Sequence, residues 1–417
     1  MTSATYPVWL PMTHMPAFTP AGRTLVSAEG VRVRDDLGRS YLCATSGLWN
    51  ASLGYGHPLI IQAITRQLER LSYATLFRAG NEPALRLAER LLQLVPGGGF
   101  GRVFYSVSGG TAVETTMKLT RRYQRLTHRP DRKIIVGLTG SYHGTQYGSG
   151  TVSGQDIGQG QYGEDLRFVR HVPASDTEAL HALFATEGER IAAVFIEPVL
   201  GGDSTVVCPE FLSTLAKLRQ QHPFLVVADE IATGIGRTGT MLASETWPLR
   251  PDFILLSKAL TAGYLPLAIT LVTDRVCQVF DDANTVFLNG ETQSGNPAAC
   301  AAALATLDVM AEDGLVDHAG AMGKLLKDGL TGLAARHPLV TGVRGKGMML
   351  ALDLRTADDR ALSGAQTADA VEAVRSEGAI VYPSASGLGL RPPLVYTPQH
   401  VTELLDCLDR ALEQAWW

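Results

Sequence analysis

The chain has 417 residues, 45% of them hydrophobic and 18% charged, with a formal net charge of −5 at neutral pH. That length and apolar content suit two or three domains around a large buried core and exclude a disordered chain. The small negative charge, without a dominant basic block, excludes nucleic acid or an anionic membrane as the main partner.

No apolar run is long enough to cross a membrane, and the first residues lack a basic segment followed by an apolar one, so neither a membrane span nor a secretory signal is expected. Five cysteines (Cys43, Cys208, Cys277, Cys300 and Cys407) are scattered without paired spacing. They read as free thiols in a reducing compartment, which predicts a cytoplasmic protein, and no metal site is expected.

Residues 1–25 are proline-rich and read as an arm lying on the surface or on a partner subunit. From Val26 to Gly47, apolar and polar residues alternate around a turn at Asp35–Gly38, a hairpin pattern. A loop punctuated by Gly54, Gly56 and Pro58 follows, then helical spacing from Leu59 to Leu71. From about residue 80, helices alternate with buried strands. Glu82–Leu94 reads as a helix, and the strand Val103–Val107 runs into Ser108-Gly109-Gly110 and a further helix. A strand, a glycine turn and a helix N-terminus present backbone amides that suit a phosphate. Lys133–Leu138 is a strand leading to Tyr142-His143-Gly144. Ile191–Ile196 is a buried strand ending at Glu197-Pro198, and Pro209–Gln221 is an amphipathic helix.

The stretch that organises the chain is FLVVADEIATGIGRTGTMLASETWPLRPDFILLSKALTAG, from Phe224 to Gly263. Its two short apolar runs, Phe224–Ala228 and Phe253–Leu256, read as buried strands. Each delivers one charged group at its carboxyl end, Asp229 and Lys258, where open α/β sheets bind ligands. An acid and a lysine so placed suit pyridoxal phosphate: the amine can form a Schiff base with its aldehyde, and the carboxylate can pair with its pyridinium nitrogen. Taken singly, Asp229 is also a candidate helix cap and Lys258 a solvated strand end. Residues 305–417 read as a smaller α/β portion, with helices at Leu315–His337 and Thr367–Glu377, a strand pair around Val340–Leu354, further strands at Ala379–Tyr382 and Leu388–Leu394, and a terminal helix from Gln399.

ADEIATGIGRTG followed by SKALTAG resembles the signature of the class III (omega) aminotransferases, which are fold-type I pyridoxal-phosphate enzymes. The resemblance implies an α/β fold. A large domain (79–304) would hold a mixed, mostly parallel sheet, and a small α/β domain would combine residues 26–78 with 305–417. It implies Lys258 as the Schiff-base lysine and Asp229 as the partner of the ring nitrogen. Gly109, Gly110 and Thr111 would grip the phosphate, with Thr111 departing from the family's usual residue. Tyr142 would stack on one face of the ring and Ile231 lie on the other, with His143 in support and Glu197 near the cofactor. Asn289, Gly290, Thr292, Gly295 and Pro297 nearly meet the family's HGxTxxGxP pattern, which implies that Thr292 contacts the phosphate of a neighbouring subunit in a homodimer with shared sites. Asn289 and Gln293 depart from that pattern, and those departures bear on substrate choice.

The family's substrate pocket maps onto the loop holding Trp49, which reads equally as core or interface packing, with Tyr73 and Phe77 as further wall candidates. Arg391, in GLGLRPPLVYT, sits at the family's C-terminal motif and is a candidate for a substrate carboxylate or for a structural ion pair; Arg78 and Arg237 are other candidate cations. The implied activity is ping-pong transfer of an amino group between a terminal amine or omega-amino acid and a carbonyl acceptor. The alternatives are an aminotransferase acting on a ketone of a natural product or modified peptide, a racemase, aminomutase or decarboxylase of the same fold, and a non-catalytic protein retaining the fold.

Overall fold

The computed structural model describes residues 6–414. Residues 1–5, part of the expected arm, lie outside it. The remainder of the arm is irregular apart from one 3-10 turn at Met15–Ala17.

Three short strands open the fold: β1 (Leu25–Glu29), β2 (Arg32–Asp35) and β3 (Ser40–Cys43), paired antiparallel in sequence. The expected single hairpin is therefore a three-strand meander. The turn at Asp35–Gly38 is present, and a second, tighter turn stands at Gly30, whose φ of 53° suits glycine. All five residues of β1 are exposed, so the alternation of Val26-Ser27-Ala28-Glu29 marks no buried face.

A seven-stranded sheet forms the centre. It contains β4 (Phe100–Ser106), β5 (Ile134–Leu138), β6 (Val169–Val172), β7 (Ile191–Ile196), β8 (Leu225–Asp229), β9 (Phe253–Leu256) and β10 (Ala268–Thr273). Their spatial order is β4-β10-β9-β8-β7-β5-β6. Only β10 runs against its neighbours; the other six strands point the same way. Every residue of β5, β7, β8, β9 and β10 is buried, as expected when helices cover both faces of a parallel sheet. Each fully buried Val, Leu or Ile there contributes about 1.5–3 kcal/mol.

The C-terminal portion contributes β11 (Val340–Lys346), β12 (Met349–Leu354), β13 (Ala379–Ile380), β14 (Tyr382–Ser384) and β15 (Gly387–Leu390). Four of them form a sheet in the order β11-β12-β15-β14, while β13 pairs parallel with β3 and so adds a C-terminal strand to the N-terminal sheet. Local chemistry sets the helix starts. Proline stands in the first turn of Pro58–Arg70, Glu82–Leu94, Pro209–Gln221, Pro297–Glu312 and Pro398–Glu413, where its missing N–H is no loss. Asn81 and Asn296 accept from first-turn amides of their helices.

Candidate active site

The carboxyl ends of β4, β5, β7, β8 and β9 converge on one cavity of about 350 Å³. Its walls include Trp49, Gly109, Gly110, Tyr142, Glu197, Asp229, Ile231 and Lys258, which come from segments up to 209 positions apart in the chain.

Lys258 follows β9 and begins a single 3-10 turn, Lys258–Thr261. Its backbone is left-handed, with φ of 37°, a strained conformation for a residue with a side chain. Ser257 anchors the turn by donating its hydroxyl to the Leu267 carbonyl at 2.8 Å. Burial draws the Lys258 pKa below the ordinary lysine value; Glu197 and Asp229 oppose that shift, and the guanidiniums of Arg391 and Arg237 add to it. A lysine so placed carries a larger fraction of neutral amine near neutrality, the form that attacks carbonyls and accepts protons.

Asp229 ends β8 and is 2% exposed. Its Oδ1 accepts from the Ile231 amide at 3.1 Å, and its Oδ2 lies 2.6 Å from His143 Nδ1. His143 therefore fixes the carboxylate from behind. Burial lowers the His143 pKa, but the hydrogen bond and charge of Asp229 outweigh it, so the net shift is upward. The structure places His143, read from the sequence as a supporting residue, against Asp229.

Helix Gly109–Leu126 starts at the cavity wall with Ser108 as its N-cap. The Ser108 hydroxyl accepts from the Thr111 amide at 3.3 Å, and the Thr111 hydroxyl receives the Ser108 amide at 3.2 Å. This reciprocal cap engages both the amide and the hydroxyl of Thr111. Gly109 and Gly110 do line the cavity, and their amides make no backbone hydrogen bond. A Cβ on Gly110 would lie 1.9 Å from Gln146 Oε1, so glycine keeps this corner open.

Glu197 follows β7, and its carboxylate accepts from the Tyr142 amide at 2.8 Å and the Gly201 amide at 3.1 Å. Burial pushes its pKa up. Among the described residues no arginine makes an ion pair with Glu197. Trp49, 7% exposed, places its ring centroid 4.3 Å from Lys258 Nζ and packs edge-on against Tyr382 at 5.7 Å.

Other sequence candidates fall elsewhere. Tyr73 and Phe77 do not line this cavity; both are exposed, and Tyr73 donates its hydroxyl to the Thr292 carbonyl at 2.9 Å. Phe77 instead borders a separate groove with Asn289 and Gly290. Thr292 is itself exposed, on the same face, outside its own chain's cavity. Asn289 is a tether: it accepts from Lys118 at 2.7 Å and donates to Thr115 at 2.8 Å, holding its loop against helix Gly109–Leu126. Arg391 lies behind Trp49 rather than in the cavity wall, Arg237 is fully buried, and Arg78 is exposed.

Sequence reading missed Tyr382, Gln155, Gln146, Leu48 and Met12, all of which border the cavity. An aromatic immediately upstream of the GLGLRPPL segment is a usable signal for Tyr382. The others come from loops and from the arm, where no periodicity marks a residue as facing a site.

A sequence model described as Aminotransferase class-III matches residues 17–412. An omega-aminotransferase of Caulobacter vibrioides is 31% identical, the match covering 97% of each chain. A diaminobutyrate–2-oxoglutarate transaminase of Halomonas elongata is also 31% identical, over 94% of this chain and 90% of its own. Among solved structures, an (S)-enantioselective omega-transaminase from Thermomicrobium roseum superposes with a TM-score of 0.92 at 28% identity, covering 99% of this chain and 96% of that one. The omega transaminase from Pseudomonas jessenii in complex with PMP gives a TM-score of 0.88 at 29% identity, over 94% and 92%.

Proposed function

The chain belongs to the class III aminotransferases, fold-type I enzymes that move amino groups with pyridoxal phosphate, and from that membership we propose how its own residues divide the work. The observation that carries the reading is the convergence of Lys258, Asp229 and two open glycine amides on one cavity.

The cavity fits the cofactor at three points. Gly109 and Gly110 offer unshared amides at a helix N-terminus for a phosphate. Asp229, braced by His143, faces the cavity where a pyridine nitrogen would carry its proton. Ile231 and Tyr142 supply walls for a flat ring. When bound, pyridoxal phosphate supplies the aldehyde that carries the amino group and the ring that delocalises the electrons of a broken C–H bond.

Lys258 Nζ takes the proton from the amine-bearing carbon of the donor and, in the reverse half, returns one to the acceptor. Asp229 keeps a positive charge favourable at the far end of the ring, and Glu197 holds the Tyr142 and Gly201 backbones. Trp49 and Tyr382 exclude water from the Lys258 side.

The substrates are a terminal amine or omega-amino acid and a carbonyl compound. Arg391, behind Trp49 and without a carboxylate ion pair among the described residues, is the candidate for a substrate carboxylate, its contacts to Gly201 and Ser204 being those of a structural residue. The pair of names found among the relatives, an omega-aminotransferase and a diaminobutyrate transaminase, supports a terminal amino group as donor. Free cysteines throughout support a cytoplasmic location, and the pairing of β13 with β3 supports residues 26–78 and 305–417 as one small domain. A panel of terminal amines and omega-amino acids, each assayed for carbonyl product with a keto-acid acceptor, tests the reading. Turnover confined to amino acids with only an α-amino group would refute it.

A further inference from the structure

We propose that the side-chain amide of Gln146 is a further ligand of the cofactor phosphate, standing in the place of the side chain that Gly110 lacks. This rests on the reading above that Gly109 and Gly110 hold that phosphate.

The two free amides of the turn bring no side-chain donor of their own, because both residues are glycine. Gln146 stands against the second of them. A Cβ on Gly110 would lie 1.9 Å from Gln146 Oε1, 2.7 Å from its Cδ and 2.8 Å from its Nε2. The amide thus covers the ground that a short side chain at position 110 would occupy, and it reaches that ground from a different segment, the loop after β5.

The local chain holds it there. Gly144 has φ of 129°, and a Cβ on it would meet Ser149 Oγ at 2.5 Å, Gly110 Cα at 2.9 Å and Gln146 Oε1 at 3.0 Å. Glycine at 144 lets these three groups close on one point. Glu114, one turn along the helix from Gly110, accepts from the Gly148 amide at 2.6 Å and the Ser149 amide at 2.9 Å. The stretch that carries Gln146 is therefore fastened to the same helix that presents the glycine amides.

The amide is also unspent. Gln146 precedes the helical turn Tyr147–Val152, yet its side chain caps none of that turn's amides. Its side chain accepts from the Ser149 hydroxyl at 2.8 Å through Oε1, and its Nε2 has no acceptor among the described residues. The residue is exposed where it lines the cavity. A hydroxyl donates or accepts, so Ser149 serves either end of the amide, and the end turned to the glycine corner is set by what arrives there. An anion draws the NH2 end, because a donor to a charged oxygen makes the stronger bond.

The test is retention of pyridoxamine phosphate, which has no aldehyde to bond to Lys258, by equilibrium dialysis of the loaded full-length protein. Pyridoxamine, which lacks the phosphate, is the control ligand. Gln146→Ala should weaken pyridoxamine phosphate about ten-fold, as for loss of one hydrogen bond to a charged group, and leave pyridoxamine unchanged. Gln146→Glu, of the same shape but without the NH2 group, should weaken it further. Gly110→Ser alone should weaken it through collision with the amide. In the Gln146→Ala background, where that space is clear, Gly110→Ser should restore most of the loss. Retention at the parent's level by Gln146→Ala and Gln146→Glu would overturn the proposal, as would equal weakening of both ligands, the mark of packing alone. A parent that holds the two ligands equally would overturn the phosphate reading of Gly109 and Gly110, and this inference with it.

Discussion

Asp229 and Glu197 are both buried carboxylates at the ends of neighbouring strands, yet their surroundings assign them different work. Asp229 is braced by His143 and presents charge. Asp229→Asn keeps the shape and removes that charge, so turnover should fall about 100- to 1000-fold with the fold intact, as for loss of one preorganised electrostatic partner. Circular dichroism with steady-state kinetics checks this; a rate within a few-fold of the parent would remove Asp229 from the assignment.

Glu197 makes a pH prediction. Burial raises its folded pKa from 4.5 to about 7. Between those values the native state binds more protons than the unfolded state, so Glu197 makes stability fall as pH rises through that window. Glu197→Gln removes the slope. The cofactor-free parent should therefore lose more melting temperature between pH 5 and about 7 than Glu197→Gln does, and parallel profiles would contradict the burial argument.

At the scale of elements, the capped helix at Gly109 is the most exposed to test. Ser108→Ala removes the N-cap and leaves the Thr111 amide without its acceptor, which should cost about 1 kcal/mol in urea unfolding. No measurable cost would show that the reciprocal cap does not form. The same helix explains how the sequence was legible and where it was not. Helices Glu82–Leu94 and Pro209–Gln221 stand at the limits read from the sequence, and buried strands such as Ile191–Ile196 followed from unbroken apolar runs. Lys258, Asp229 and Glu197 were legible because each ends such a run. The capping role of Thr111 was not read, because a capping hydroxyl and a phosphate-binding hydroxyl occupy the same place in a sequence. The turn at Gly30 that divides the first two meander strands was not read, because the alternation runs up to it and a lone glycine marks it only weakly. The position of Arg391 behind Trp49, and the borders formed by Tyr382 and Met12, depend on contacts between distant segments that no local pattern encodes.

At the scale of the molecule, one face remains unfilled by its own chain. Thr292, Tyr73 and Phe77 lie together there, with Val286 72% and Leu288 87% exposed. The proposal of a homodimer with shared sites brings this face to a neighbour's cavity, and Tyr73 and Phe77 with it. Complementation tests it: mixing Lys258→Ala chains with Thr292→Glu chains puts both lesions in one site of the mixed dimer and neither in the other. Activity should partly return on mixing; none returning, or an active monomer in sedimentation, would contradict shared sites.

The central claim is that Lys258 carries amino-group transfer with the cofactor as the only store of nitrogen between half-reactions. A single-turnover experiment reads this directly: cofactor-loaded protein is mixed with a terminal amine and no acceptor, and carbonyl product is counted per chain. The account predicts one product per active site and then arrest until a carbonyl acceptor is added, with none formed by Lys258→Ala. Continuous product without an acceptor, or equal product from Lys258→Ala, would contradict it.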